Sequence, residues 1–154
     1  MDNTYALLDC AAHDDAFEQL AAAFPAPRWQ SLFAGTPEEH LHSAAPLLIA
    51  LDPAAEDKTI ITWLIEKERA RPSVTWIKSP YALSALATML TRRLQCRINE
   101  EEDVVLRFYD PRILLGLSSA LTDAQKKFFF APVSSWTAAV GQRWETWPLL
   151  RSGG

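Results

Sequence analysis

Two short apolar runs, YALLDCA (5–11) and LLIAL (47–51), and one segment that alternates Val74 and Trp76 with polar neighbours, SVTWIKS (73–79), constrain this chain more than any other feature. Each is shorter than an ordinary helix and reads as a strand, the first two as continuous apolar runs and the third by its alternation. The segments between them have a different period. Phe17, Leu20, Ala21 and Phe24 recur at threes and fours behind Asp14 and Asp15, either of which can cap a helix; Pro25 and Pro27 then end it. In KTIITWLIEKERA (58–70), Ile60, Ile61, Leu64 and Ile65 form one apolar stripe beside a charged end. Ser79-Pro80 opens what reads as the longest helix, with Leu83, Leu86, Leu90 and Leu94 on one face. RWQSLF (28–33) reads as a further strand. GTPEEHL reads as a helix start, with Thr36 as cap, Pro37 in the first position and Glu39 completing a capping box.

The second half becomes helical and then closes in a hairpin. QCRI and DVVLRFY flank the acidic turn NEEED and pair as one hairpin. From Pro111, Ile113, Leu114, Leu117 and Leu121 repeat at helical spacing, and Thr122 with Gln125 starts another helix. SSWTAAVGQRWETW forms a terminal hairpin turning at Gly141-Gln142, which sets Trp136 opposite Trp147. The expected class is α/β, with α+β as the alternative: a mixed β-sheet flanked by helices, a helical C-terminal part and a terminal β-hairpin. At 154 residues the chain makes one domain over 1–150, with RSGG (151–154) as a disordered tail.

Composition limits function. A net charge of -4 disfavours binding to nucleic acid or to an anionic membrane, both of which need a clustered positive surface. The longest apolar stretch, AAPLLIAL, falls well short of a bilayer span. Cys10 and Cys96 belong to no paired motif and the first residues lack a signal-peptide pattern, which points to a reducing cytoplasm and free thiols. An enzyme would have to use Cys10 with His13, or a metal on His40 and His42. Cys10 and His13 lie at one strand end, whereas a nucleophile and its base ordinarily come from separate elements. His40 and His42, two apart, face different sides of a helix and lack a third ligand. No glycine-rich phosphate loop and no nucleophile elbow is present. The expectation is a protein without enzymatic activity, cofactor or metal.

VLRFYDPRIL (104–113) holds Arg107, Asp110 and Arg112 among apolar residues. Read as a central strand, it points Val104, Leu106 and Phe108 one way and Val105, Arg107 and Tyr109 the other. Arg107 would then be partly buried, with Asp110 as its partner or that of Arg112, and Arg107→Ala would lower the melting temperature. Asp110-Pro111 suits a helix cap. The set serves either as a fold-specifying ion network or as a contact surface on which Tyr109 and Arg112 are exposed. Trp29, Trp63 and Trp76 fall on expected core elements, while Trp136, Trp144 and Trp147 either pack together or line a partner groove.

Taken in order, YALLDCA, LFAGTPEEHLHSAAPLLIAL, SPYALSALATMLTRRLQCRI, VLRFYDPRIL and FFFAPVSSW resemble the effector-adaptor (effector chaperone) family of bacterial type VI secretion, formerly a domain of unknown function. RFYDPR and GTPEE are the most specific pieces, and the resemblance runs from about Tyr5 to Trp136. It implies a cytoplasmic protein of a Gram-negative bacterium that binds a cognate toxin effector, keeps it soluble and helps mount it on the spike protein of the secretion tube. Arg107, Tyr109, Asp110, Arg112, Trp136 and Trp144 are the residues expected to meet the partner.

Overall fold

The computed structural model describes residues 2–24, 28–52, 58–97, 103–140 and 143–147. Six strands form one sheet in the order β2-β3-β1-β4-β7-β8. They are β1 (Asn3–Asp9), β2 (Trp29–Ser31), β3 (Pro46–Leu51), β4 (Val74–Ser79), β7 (Ser135–Val140) and β8 (Arg143–Trp147). Helices α1 (Ala16–Ala23), α2 (Lys58–Ala70), α3 (Leu83–Arg92), α4 (Pro111–Ala120) and α5 (Asp123–Phe129) alternate with the strands or follow them. A separate small hairpin pairs β5 (Gln95–Arg97) with β6 (Asp103–Val105). The α/β class read from the sequence is the class observed. The direction of the strands is more uniform than a mixed sheet implies, because each ladder is antiparallel.

The three segments form the middle of the sheet. β1 pairs on one side with β3, Leu7 facing Leu48, and on the other with β4, Leu7 facing Thr75. Tyr5 through Cys10 are buried without interruption, so β1 is covered on both faces, which is why its sequence shows an apolar run rather than alternation. Toward the other end of the sheet, one face carries the row Ala50, Tyr5, Ile77, Trp136 and Trp147 across neighbouring strands. Trp136 stands opposite Trp147, as the hairpin register required; the turn at 141–142 lies outside the described residues.

Trp136 is wholly buried and donates its indole N–H to Thr75 Oγ1 at 2.8 Å, which satisfies both polar groups. Phe108, Phe129 and Phe130 pack on its ring at centroid distances of 5.6, 5.9 and 6.1 Å. The chain from Phe108 through α4 and α5 therefore covers this face of the sheet. The opposite face at the same end is more open: Trp76 and Thr137 are half-buried, and Lys78 and Trp144 are exposed. Trp29, Trp63 and Trp76, expected in the core, all lie half-buried at its margin.

Several local expectations hold. α2 spans residues 58–70 as read, although Ile65 is exposed and the buried stripe narrows to Ile60 and Leu64. Thr122 and Gln125 form the reciprocal capping box of α5. Others are corrected. After GTPEE the chain forms a 3₁₀ segment, Glu39–Ala44, and the Glu39 carboxylate accepts the Gly35 N–H instead of closing a box on Thr36. Gly35 has φ of 76°, which a residue with a side chain rarely adopts. α3 is shorter than α2, and Ser79 does not cap it; its hydroxyl donates to the Pro132 carbonyl at 2.6 Å.

The largest correction concerns VLRFYDPRIL. It is not a central strand. β6 stops at Val105, the Phe108 N–H donates to the Leu106 carbonyl at 2.9 Å, and the Asp110 N–H donates to the Arg107 carbonyl at 3.0 Å. In this turn Phe108 and Tyr109 are successive and both buried, which in sequence looks the same as a strand covered on both faces. The NEEED segment of the hairpin lies mostly outside the described residues, as does RSGG.

Replacing Trp136 with alanine removes the residue on which three phenylalanines pack and strands the Thr75 hydroxyl. The expected cost is about 3–5 kcal/mol in urea unfolding monitored by circular dichroism. Trp136→Phe, which keeps the ring contact and loses the hydrogen bond, should cost less than half of that.

Candidate functional site

The turn after β6 is held by Asp110, which caps α4. Its Oδ1 accepts the Arg112 backbone N–H at 2.9 Å, and Pro111 occupies the first helical position. The same carboxylate takes the Arg112 side chain in a fork, Nε to Oδ1 at 3.0 Å and Nη2 to Oδ2 at 2.8 Å. Burial alone would raise the Asp110 pKa, but the hydrogen bonds and charge of Arg112 outweigh it and hold the carboxyl below its usual value. Tyr109 is buried, edge-on to Phe33 and Phe108, and burial pushes its hydroxyl up.

A second carboxylate lies close by in a different state. Asp9, at the end of β1, is 3% exposed and accepts the Ala11 N–H at 3.0 Å. Burial raises its pKa to about 6; the Ala11 hydrogen bond and the charges of Arg107 and Arg112 oppose this, and Asp110 adds to it. Glu68, half-buried on α2, takes the N–H groups of Ser73 and Val74, each at 2.8 Å, and so fixes the start of β4 behind this region.

Asp9 forms part of a cavity of about 410 Å³ whose walls are Ala11, Ala12, Arg71, Pro72, Arg107 and Arg112. Arg71 follows α2, while Arg107 and Arg112 flank the FYDP turn, and all three are exposed at its rim. On the other side of the turn lies an apolar groove of about 390 Å³, lined among others by Leu106, Leu121, Phe128 and Phe129. Arg93 braces that groove. Its guanidinium donates to the Phe129, Met89 and Phe128 carbonyls at 3.0, 2.6 and 2.8 Å and lies 4.7 Å from the Phe128 ring centre. Phe128 itself is 68% exposed. Two consecutive residues, Leu106 and Arg107, thus open onto two depressions of opposite character.

The residues read from the sequence are divided by the structure. Arg107 and Arg112 are exposed and share the cationic cavity, and Asp110 lies beneath them as support. Tyr109, expected exposed, is 5% exposed and belongs to the core; Trp136 is likewise wholly buried, so neither offers its ring to a partner. Trp144 is 67% exposed on β8, apart from both depressions. Arg107, expected to be partly buried, is instead exposed, yet its side chain hydrogen-bonds the hydroxyl of the buried Tyr109, so Arg107→Ala still removes a contact to the core. Arg71, Asp9, Arg93 and Phe128 were missed. Arg71-Pro72 at a helix end carries a weak signal, whereas the exposure of Phe128 depends on where α5 lies.

The catalytic alternatives find little support in the geometry. Cys10 is wholly buried, and burial with the Asp9 and Glu18 charges pushes its thiol up to about 12, opposite to an activated thiolate. His13 Nε2 bonds the buried Ser73 hydroxyl at 2.9 Å. His40 and His42 are both exposed, and the His42 ring meets Phe17 edge-on at 5.4 Å. Among the described residues, no three His, Cys, Asp or Glu side chains converge to hold a metal ion. Among the same residues no helix is long and apolar enough to cross a membrane.

A family model described as a domain of unknown function, DUF4123, matches residues 4–127, and the chain belongs to that family. The matched span includes Asp9, Arg71, Arg107 and Arg112 and ends within α5, before the β7–β8 hairpin. No curated protein and no solved structure matches the chain.

Two measurements check the electrostatics. Asp110→Ala removes a cap and leaves Arg112 without its carboxylate, at an expected cost of about 1–2 kcal/mol, and Arg107→Ala, which takes a hydrogen bond from the buried Tyr109 hydroxyl, should cost about 0.5–1.5 kcal/mol. Thermal melts of the two variants compare them directly. For Asp9, the folded carboxyl keeps its proton to about pH 6 while an unfolded one releases it near 3.8. Its stabilising contribution is therefore complete below the lower value and is lost as pH rises through the higher. Urea titrations should find Asp9→Asn gaining on the parent chain by about 2–3 kcal/mol between pH 4 and pH 7, with a constant gap above that.

Proposed function

We propose that this chain is an adaptor that binds a cognate toxin effector of a type VI secretion system and helps load it onto the spike protein. The reading places it in the cytoplasm of a Gram-negative bacterium and assigns it no catalytic step. Membership of the DUF4123 family is consistent with the proposal, and the resemblance carried by RFYDPR and GTPEE gives it its direction. The observation that carries it is the pair of neighbouring depressions, one apolar and one lined by arginine, on either side of the turn at Leu106 and Arg107.

Protein contact surfaces concentrate aromatic residues and arginine because both bury large area at modest conformational cost and arginine also offers directed donors. Phe128 projects from α5 at the groove margin while Arg93 fixes the helix end beneath it. An apolar effector segment seated in the groove would be withdrawn from water, which is how an adaptor keeps an aggregation-prone partner soluble. The cavity across the turn adds charge-dependent selection to that apolar adhesion.

Co-expression with the genetically linked toxin tests this. The toxin should co-purify with the chain and its soluble yield should rise several-fold. Phe128→Glu should reduce capture at least about tenfold with an unchanged melting temperature, since the side chain is exposed in the free protein. A toxin that is equally soluble alone and is never captured would rule the adaptor role out.

A further inference from the structure

We propose that the cavity walled by Arg71, Arg107 and Arg112 is a carboxylate-recognition site that takes an acidic side chain from a segment of the partner polypeptide. The inference rests on the adaptor reading for the identity of the partner and names the chemistry by which this site would select it. Its arginines come from two distant parts of the chain, Arg71 after α2 and the other two from the turn into α4. Small or rigid residues, Ala11, Ala12 and Pro72, form the rest of the wall and leave the space between the guanidinium groups unfilled.

The charge balance favours a monoanionic group. Three arginines and one carboxylate, Asp9, line the cavity, and a second carboxylate, Asp110, lies beneath Arg112, in a chain whose net charge is -4. This is a local reversal of sign. Asp110 engages two of the five donors of Arg112 and thereby fixes the plane of that guanidinium, while its remaining donors are left to other acceptors. Arg71 and Arg107 line the same space, Arg107 with one hydrogen bond already made to Tyr109, and a planar carboxylate matches a guanidinium fork in a bidentate pair. A phosphate dianion would suffer twice the repulsion from Asp9 and Asp110. The adjacent groove at Leu106 and Phe128 favours a polypeptide carrying an apolar residue near the acidic one over a free anion.

The test titrates the purified chain with a blocked peptide, acetyl-Ala-Glu-Leu-Glu-Ala-amide, following arginine Nε–Hε signals by NMR. The matching glutamine peptide and inorganic phosphate are the controls. Saturable shifts of the Arg71 and Arg107 signals are expected with the glutamate peptide, with affinity at least about tenfold weaker for the glutamine peptide. Arg71→Gln and Arg107→Gln should each weaken binding about fivefold or more; Arg71→Gln should leave the melting temperature unchanged, and Arg107→Gln is compared at a temperature where it is fully folded, because Arg107 also bonds Tyr109. No saturation by the glutamate peptide at millimolar concentration, equal binding of the glutamine peptide, or binding of phosphate alone would each overturn the proposal. Effector capture separates the two readings. If the Arg71→Gln/Arg107→Gln double variant captures the toxin as the parent does, the carboxylate site fails while the adaptor role survives. If the peptide binds as expected but no toxin is captured, the adaptor role fails and the site stands.

Discussion

The seating of Phe108 on Trp136 is the contact on which the remaining geometry depends. Trp136 is fixed from below by its strand pairing and by Thr75, so its position is set by the sheet. Phe108 meets it edge-on with ring centres 5.6 Å apart, and Phe129 stacks on the same indole. One aromatic group thus ties the turn after β6 to the end of α5. Because Phe108 must point inward, Leu106 and Arg107 are left on the rim, each facing its own depression. The surface of the molecule is here a by-product of its core.

The two aspartates near that rim show that similar surface exposure does not mean similar protonation. Asp9 and Asp110 are almost equally inaccessible, at 3% and 4%. Asp110 receives two side-chain hydrogen bonds from Arg112 and stays charged, whereas Asp9 receives one backbone N–H and is pushed up to about 6. Two causes act together: Asp9 lies deeper, so it is desolvated more strongly, and Asp110 has the Arg112 fork, which stabilises its charge directly, where Asp9 has guanidinium groups only at longer range. Near neutral pH, the cationic character of the cavity therefore depends on how its own carboxylates are partnered.

Much of the fold was legible because its signals are local. The uninterrupted apolar run in β1, the stripe of α2, the Thr122–Gln125 box and the Trp136–Trp147 pairing each follow from residues a few positions apart. The failures share a cause. LRFYD continues an apolar stretch as a central strand would, and only the packing of Phe108 and Tyr109 into one core shows that it turns. The candidate site was half legible: Arg107, Asp110 and Arg112 stand together in sequence, but Asp9 and Arg71 join them only through the pairing of β1 with β4. Trp136 looked like a contact residue for the same reason that it is a core residue, since a large aromatic side chain serves either purpose and only its cover distinguishes them.

The family match stops at residue 127, yet β7 lies directly against β4. A fragment trimmed to the matched boundaries would lose Trp136 and Trp147, leave Ile77 and Phe108 without their cover and turn β4 into a bare edge. Such a fragment would be prone to stick to itself, and its stickiness could pass for chaperone activity in a pull-down. Excision points for relatives of this chain should accordingly be set by the last strand of the sheet and not by the limits of sequence similarity.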